Sequence, residues 1–317
     1  MRIAVIGLGL IGGSLLRALT AAGHEVTGFD ADPATRDLAR AAGCRVLDST
    51  AAAVAGTEVT VLAVPLPVLP RIFEDLAGYD GVLTDVTSVK GPVQDLAEKY
   101  GVRRFVGGHP MAGTEASGFA AADPKLFGGC IWVLCLEPHG TGLDDWLTLA
   151  RLYTALGTRV LPITAVEHDN AVASISHVPH LLAATLATKL LESPLNKALA
   201  AGSFRDGSRV AATRPELTAA MCGGNANEVI RELTHVIDDL VRLRERLELS
   251  DPVHAQLDYL RRASELRRAW PPVPGAAGRL TADVQALLAL GRSGGWVTSV
   301  DGHEVATIRP ETDRYSS

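Results

Sequence analysis

Gly7, Gly9 and Gly12 follow an apolar run, Ile3 to Ile6, and precede a stretch of helical character over residues 15–22. Glycines at that spacing, between a strand and a helix, constrain this chain more than any other feature. The first permits a tight turn, the second lets backbone approach a pyrophosphate, and the third lets helix pack close on strand. The helix then points bare N–H groups and a positive dipole end at the phosphates. Eighteen residues past Gly12, a second strand-like run ends in Asp30. A carboxylate there accepts hydrogen bonds from an adenosine ribose and repels a 2′-phosphate, which favours NAD over NADP. The expected cofactor-binding set is Gly7, Gly9, Leu10, Ile11, Gly12 and Asp30, with Val64 and Pro65 at the end of a third strand. An ordinary turn needs the glycines but not the flanking elements or the acid.

The chain has 317 residues, room for two domains, and 47% hydrophobic residues, enough for a sizeable core. A net charge of −6 without a basic cluster argues against nucleic acid and anionic membrane as partners. Cys44, Cys130, Cys135 and Cys222 lack C-x-x-C spacing, so no disulfide framework or metal site is expected, and a reducing cytoplasm fits. No stretch is expected to span a membrane. Arg2 and the apolar residues after it imitate a secretory signal, but the glycines of residues 7–13 and Arg17 make a poor signal core.

Strand-like and helical runs alternate to about residue 163, at residues 25–30, 33–42, 45–47, 58–65, 81–86, 105–107, 130–135 and 159–161. Such alternation means βαβ units, hence an α/β, doubly wound, Rossmann-like and mostly parallel sheet over residues 1–163. Thr164 and Glu167 then form a capping box, and strand signals vanish for about a hundred residues. Residues 164–270 are expected to be an all-α substrate and dimerisation domain. Thr213 and Glu216 read as a second capping box. Residues 227–247 form a long amphipathic helix whose apolar face carries Val229, Ile230, Leu233, Ile237, Leu240, Val241 and Leu243. That stripe suggests a homodimer seam; burial within its own domain is the alternative. Residues 271–317 form a proline-rich linker and a small appendix, with a helix over 280–290 and a β-hairpin over 296–308 on an Asp301-Gly302 turn.

In a doubly wound sheet, ligands bind beyond the carboxyl ends of the strands. Polar clusters fall there: residues 85–91 (with Asp85, Ser88 and Lys90) and residues 107–115 (with His109, Thr114 and Glu115). A third cluster lies in the helical part, with His168-Asp169, Ser176 to His180, and Phe204 to Arg209. Bland readings exist for each. His109 could be a hydrogen-bonded turn histidine, Ser88 a helix N-cap, and Arg209 an exposed helix arginine. Lys90 could position its loop or contact the cofactor. His168 reads as structural. His177 and His180 imitate a metal pair, but Pro179 between them and the lack of a nearby cysteine ligand argue against metal.

The glycine motif, Asp85-x-x-Ser88-x-Lys90, His109-Pro110-Met111-Ala112-Gly113-Thr114-Glu115, Ser176-His177-Val178-Pro179-His180 and Arg205-Asp206-x-x-Arg209 together resemble the prephenate/arogenate dehydrogenases of tyrosine biosynthesis. The resemblance runs from residue 1 to about 250 and leaves the appendix uncovered. It implies an NAD-dependent oxidative decarboxylation of a cyclohexadienyl substrate, prephenate or arogenate. In it, His109 corresponds to the histidine that accepts the 4-hydroxyl proton, a task suited to neutral imidazole near pH 7. Ser88 corresponds to a serine contacting the same hydroxyl. Arg209 corresponds to the arginine that binds the ring carboxylate through its planar fork. His177 corresponds to a second histidine lining the substrate pocket, Thr114 is a further substrate-binding residue, and Glu115 and Asp206 pair with arginine to gate that pocket. The arrangement requires His109 and Arg209 to bracket one small dicarboxylated ring.

Two other functions compete. Dehydrogenases of β-hydroxy acids share the glycines but take a catalytic lysine from their helical domain; here Lys189 and Lys197 sit in no such motif. An NAD-binding regulatory protein would have no need of His109, Ser88 and Arg209 together.

Overall fold

The computed structural model describes residues 1–113 and 116–311. The chain divides into two compact units, Met1–Asp169 with Ala277–Arg309, and Asn170–Ala276.

The first unit holds two sheets. In the first, β1 (Arg2–Ile6) lies between β2 (Glu25–Phe29) and β3 (Val59–Leu62), followed by β4 (Val82–Asp85) and β5 (Phe105–Val106), in the order β2-β1-β3-β4-β5. The pairings are all parallel, with Ile3 opposite both Val26 and Val59 and Leu62 opposite Asp85. β1, β3 and β4 are buried along nearly their whole length, as a sheet covered on both faces requires. The chain steps from β1 outward to β2, then crosses back to β3. The crevice beyond the carboxyl ends of β1 and β3 is therefore a topological switch point.

The second sheet runs β6 (Gly108–Pro110), β7 (Ile131–Cys135), β8 (Arg159–Ile163), β10 (Trp296–Asp301), β11 (Glu304–Pro310), β9 (Pro274–Thr281). β6 is antiparallel to β7, β7 parallel to β8, and β10 antiparallel to both β8 and β11. The expected hairpin forms on its Asp-Gly turn, with Gly302 at φ 56°. These C-terminal strands also join this sheet, with β10 beside β8. Leu287, Leu288 and Leu290 of the helix Val284–Arg292 are fully buried in the same core as Trp146 and Val160. That helix starts later than expected because Asp283 caps it, accepting from the N–H groups of Gln285 and Ala286. The strand expected at residues 45–47 reduces to a single bridge between Gly28 and Val46.

The second unit is helical apart from the first residues of β9. The unit boundary falls after Asp169 rather than at residue 163, because the first turn of the helix Ala165–Val172 is anchored to the first unit. Its capping box forms as expected: the Thr164 N–H and Oγ1 reach Glu167 Oε2, and the Glu167 N–H reaches Thr164 Oγ1. The second expected box does not form; the helix Pro215–Gly224 has Arg214 at its N-cap and no side-chain cap. On the helix Ala226–Leu247 the apolar stripe splits. Val229 is buried with Ala173 and Val178, whereas Ile230, Ile237 and Leu240 are exposed. Contrary to the sequence expectation, the helical run 165–191 is long and apolar enough to cross a membrane by length and composition. About a quarter of its most apolar window (28%) is buried within the chain.

Candidate active site

The glycine turn sits at the carboxyl end of β1. Gly7 has φ 92°, and a Cβ there would lie 2.4 Å from the Ala63 carbonyl oxygen and 2.9 Å from Val64 Cγ1. A Cβ on Gly12 would lie 1.9 Å from the Gly7 oxygen, so only glycine lets the helix Leu10–Ala21 approach this closely. Above Gly9 the space is open, with nothing within 4 Å of an added Cβ. Gly9 is also the N-cap, with no side chain capping the helix and no acid in its first turn. Bare amides, open space above them and a positive helix end fit a pyrophosphate. Leu10, Ile11 and Val64 are half-buried around this turn, and Pro65 is exposed. Asp30 holds the turn from the end of β2: its Oδ2 accepts the Leu8 N–H at 2.7 Å and its Oδ1 the Asp32 N–H at 2.9 Å. A carboxylate has further lone pairs, so ribose hydroxyls can still be accepted there.

A buried charged knot lies at the end of β4. Lys90 and Asp85 are 1% and 0% exposed, and the Lys90 ammonium is ion-paired to Asp85 Oδ2. Lys90 Nζ also donates to the Gly108 carbonyl at 2.6 Å, while Asp85 Oδ1 accepts the Gly108 N–H at 3.0 Å. Both backbone groups of Gly108 are thus clamped, and a Cβ there would lie 2.6 Å from the Asp85 carbonyl oxygen. The next residue is His109, carried on the edge strand β6. Lys90 thus holds its own loop and Gly108 together through these contacts.

His109 Nδ1 lies 2.8 Å from His168 Nε2, and His168 Nδ1 lies 2.7 Å from Asp169 Oδ1. The two rings meet edge to face. Asp169 in turn accepts the N–H groups of Lys90 and Gly91 at 2.8 Å each. It therefore caps the helix Gly91–Lys99 from 79 residues away, a place the sequence offered to Ser88. Burial holds the His168 imidazole below its ordinary pKa against the opposing pull of Asp169. Burial works to raise the Asp169 carboxyl, but hydrogen bonds from His168, Gly91 and Lys90 outweigh it and hold it below the usual range. Ser88 is half-buried, and its hydroxyl has no protein partner among the described residues.

In the second unit, His177 is buried on the single π-helical turn Ala173–His177. Its Nδ1 lies 3.3 Å from Asn225 Nδ2, and its carbonyl is 3.8 Å from Cys222 Sγ. Such turns recur where a side chain is aimed for function. His180 Nδ1 is taken up by the Ser176 carbonyl at 2.8 Å. Among the described residues no group of His, Cys, Asp or Glu is placed to hold a metal ion. Arg209 is exposed on the short turn Arg209–Ala212, one residue past the helix Gly202–Ser208. Asp206 is exposed beside Arg205, 3.5 Å away. Thr114 and Glu115 lie outside the described residues.

Sequence reasoning missed His168 and Asp169 as partners of His109 and took His168 for a structural residue. The available signal was an adjacent His-Asp pair one turn after a helix start, of which only folding reveals the target.

Residues 15–161 match the family of prephenate dehydrogenase nucleotide-binding domains, and residues 164–263 that of prephenate dehydrogenase dimerization domains. A prephenate dehydrogenase from Lactococcus lactis subsp. cremoris is 36% identical over 66% of this chain; the match spans 61% of that relative's length. A cyclohexadienyl dehydrogenase from Zymomonas mobilis is 32% identical over 84% of this chain and 95% of its own. Among solved structures, prephenate dehydrogenase from A. aeolicus in complex with hydroxyphenyl propionate and NAD+ superimposes with a TM-score of 0.78, at 25% identity, over 84% of this chain and 97% of that one. Arogenate dehydrogenase from Synechocystis does so at 0.76 and 28%, over 85% and 100%.

Proposed function

Because the chain belongs to the prephenate dehydrogenase family, we propose that it converts prephenate to 4-hydroxyphenylpyruvate by NAD-dependent oxidative decarboxylation in tyrosine biosynthesis. The observation that carries this reading is the run of both family domains, in order, over residues 15–161 and 164–263.

Bound NAD supplies the hydride acceptor; the residues that would hold it are Gly7, Gly9, Leu10, Ile11, Gly12, Asp30, Val64 and Pro65. His109 takes the 4-hydroxyl proton as the C4–H bond of the ring is lost. Carbon dioxide leaves the opposite ring carbon, and His109 returns the proton to the oxygen of the new phenol. Atoms and charge then balance without water or a further co-reactant. Ser88, whose hydroxyl lacks a protein partner among the described residues, bonds the same oxygen. Arg209 binds the ring carboxylate for orientation, since a group that must depart gains nothing from being trapped. His177, Thr114, Glu115 and Asp206 are the further residues proposed to contact the substrate. Aromatisation drives the reaction, so the protein has mainly to orient the ring and handle one proton.

Arogenate is the second reading, favoured by the likeness to the Synechocystis enzyme. NADH absorbance on mixing protein, NAD and either substrate tests both. A higher kcat/KM for prephenate is expected; a preference for arogenate reverses the assignment, and no turnover with either refutes it. The chain is also proposed to form a homodimer in the cytoplasm through its helical unit. A second copy would cover Ile230, Ile237, Leu240 and the apolar surface of residues 165–191. A molecular mass of one chain by light scattering, or partition into detergent, would count against that.

A further inference from the structure

The chain of contacts from Asp169 through His168 to His109 assigns each ring a tautomer. Asp169 receives hydrogen bonds from two backbone N–H groups and from the neighbouring ring. All three suit a carboxylate, which only accepts. His168 Nδ1 must therefore carry the proton that points at Asp169. His168 is 1% exposed, and a buried imidazole favours its neutral form. Its Nε2 then holds a lone pair and acts only as an acceptor. The facing atom, His109 Nδ1, must therefore be the donor, and the His109 lone pair falls on Nε2.

We propose that His168, locked by Asp169, is a positioning residue that keeps His109 neutral with its proton on Nδ1, so that Nε2 is the basic nitrogen, and that it shares the charge when His109 is protonated. This rests on the reading of His109 as the base. Without an acceptor at residue 168, His109 can place its proton on either nitrogen, and the Nε2-protonated form cannot take a proton at Nε2. The imidazolium also loses the partner that stabilises it. Among the described residues, the charged groups facing His168 are Asp169, from its own helix, and Asp85 and Lys90, from the end of β4 and the loop after it. The Lys90 ammonium opposes the two carboxylates.

His168→Leu removes the acceptor, whereas His168→Gln keeps a side-chain oxygen to receive the His109 N–H. His168→Leu is expected to lower kcat by roughly 10- to 100-fold, part of the worth of a general base. KM for prephenate and for NAD should change less than about twofold, and the acid limb of kcat/KM should move to lower pH. His168→Gln should recover most of kcat. In the wild-type protein, 15N shifts should show His109 protonated at Nδ1. Wild-type kcat and pH profile in His168→Leu, no recovery in His168→Gln, or a His109 proton on Nε2 in the NMR spectrum would each overturn the proposal. The NMR measurement needs no variant and stands even where His168→Leu does not fold. His109→Asn, run in parallel, separates the two ideas. If it is inactive while His168→Leu is normal, only the positioning role fails. If it is active, the reading of His109 as base fails first.

Discussion

His109, Arg209 and His168 should each fail in its own way. His109→Asn removes the base while keeping a polar side chain of similar shape, so kcat should fall by roughly 10²–10⁴. Circular dichroism of that variant should be unchanged, and a wild-type kcat would take His109 out of its role. Arg209→Ala should act mainly on binding. Arg209 is exposed in the chain, and KM for prephenate should rise on its loss; an unchanged KM would contradict the carboxylate assignment. His168 gives a separate signature in stability. Its folded pKa lies below the ordinary 6.5, first through burial. Between that lowered value and 6.5 the unfolded chain binds more protons than the folded one, so stability rises with pH across this window and is fully present above it. Urea midpoints should therefore fall from pH 7 to pH 5.5, and fall less in His168→Gln. His24, lowered in the same sense by partial burial, is present in both proteins and cancels in the comparison. Identical slopes would show that His168 is not kept neutral by the fold.

At the scale of elements, what holds the site is the join between the two sheets of the first unit. β4 ends in Asp85, β6 begins at Gly108, and Lys90 lies between them with its charge buried. Burying an ion pair adds little stability by itself, but removing one partner strands the other charge. Lys90→Met should therefore cost about 3–5 kcal/mol in urea unfolding, and adding Asp85→Asn should recover part of it. A loss below about 1 kcal/mol would mean that the knot does not hold β6. The sequence showed the parts of this arrangement but not the join. Asp85, Lys90 and His109 were each picked out, because polar residues after apolar strands stand out by pattern. The hold of Asp85 and Lys90 on Gly108, next to His109, depends on β6 leaving the first sheet for the second, and a three-residue strand has no periodicity that would reveal it.

At the scale of the molecule, the chain leaves its first unit at Asp169 and returns to it at Ala277. The returning segment covers the edge of β8 and buries Leu287, Leu288 and Leu290. Three buried leucines alone contribute about 5–9 kcal/mol of apolar burial, comparable to the whole stability of a typical domain. A chain ending at residue 276 should therefore unfold or aggregate, with an exposed β8 edge open to other strands. If the truncated protein kept its melting temperature, the tail would be dispensable after all. Composition and spacing could not reveal this, because a hairpin looks the same whether it stands alone or closes a sheet.

The sequence by itself determined the cofactor turn, the parallel sheet, the change to helices and the family, because these rest on local periodicity and on residues close together in the chain. Strand, turn and helix around Gly7, Gly9 and Gly12 need only neighbours within about ten positions. The tertiary structure decided which groups meet across long gaps: Asp30 with Leu8, Lys90 with Gly108, Asp169 with the helix at Gly91, and His168 with His109. Side-chain hydrogen bonds between residues 18 to 78 positions apart leave no periodic trace in the sequence. Only the pairing of β1 with β2 and the meeting of β4, β6 and the helix Ala165–Val172 bring their donors and acceptors within reach.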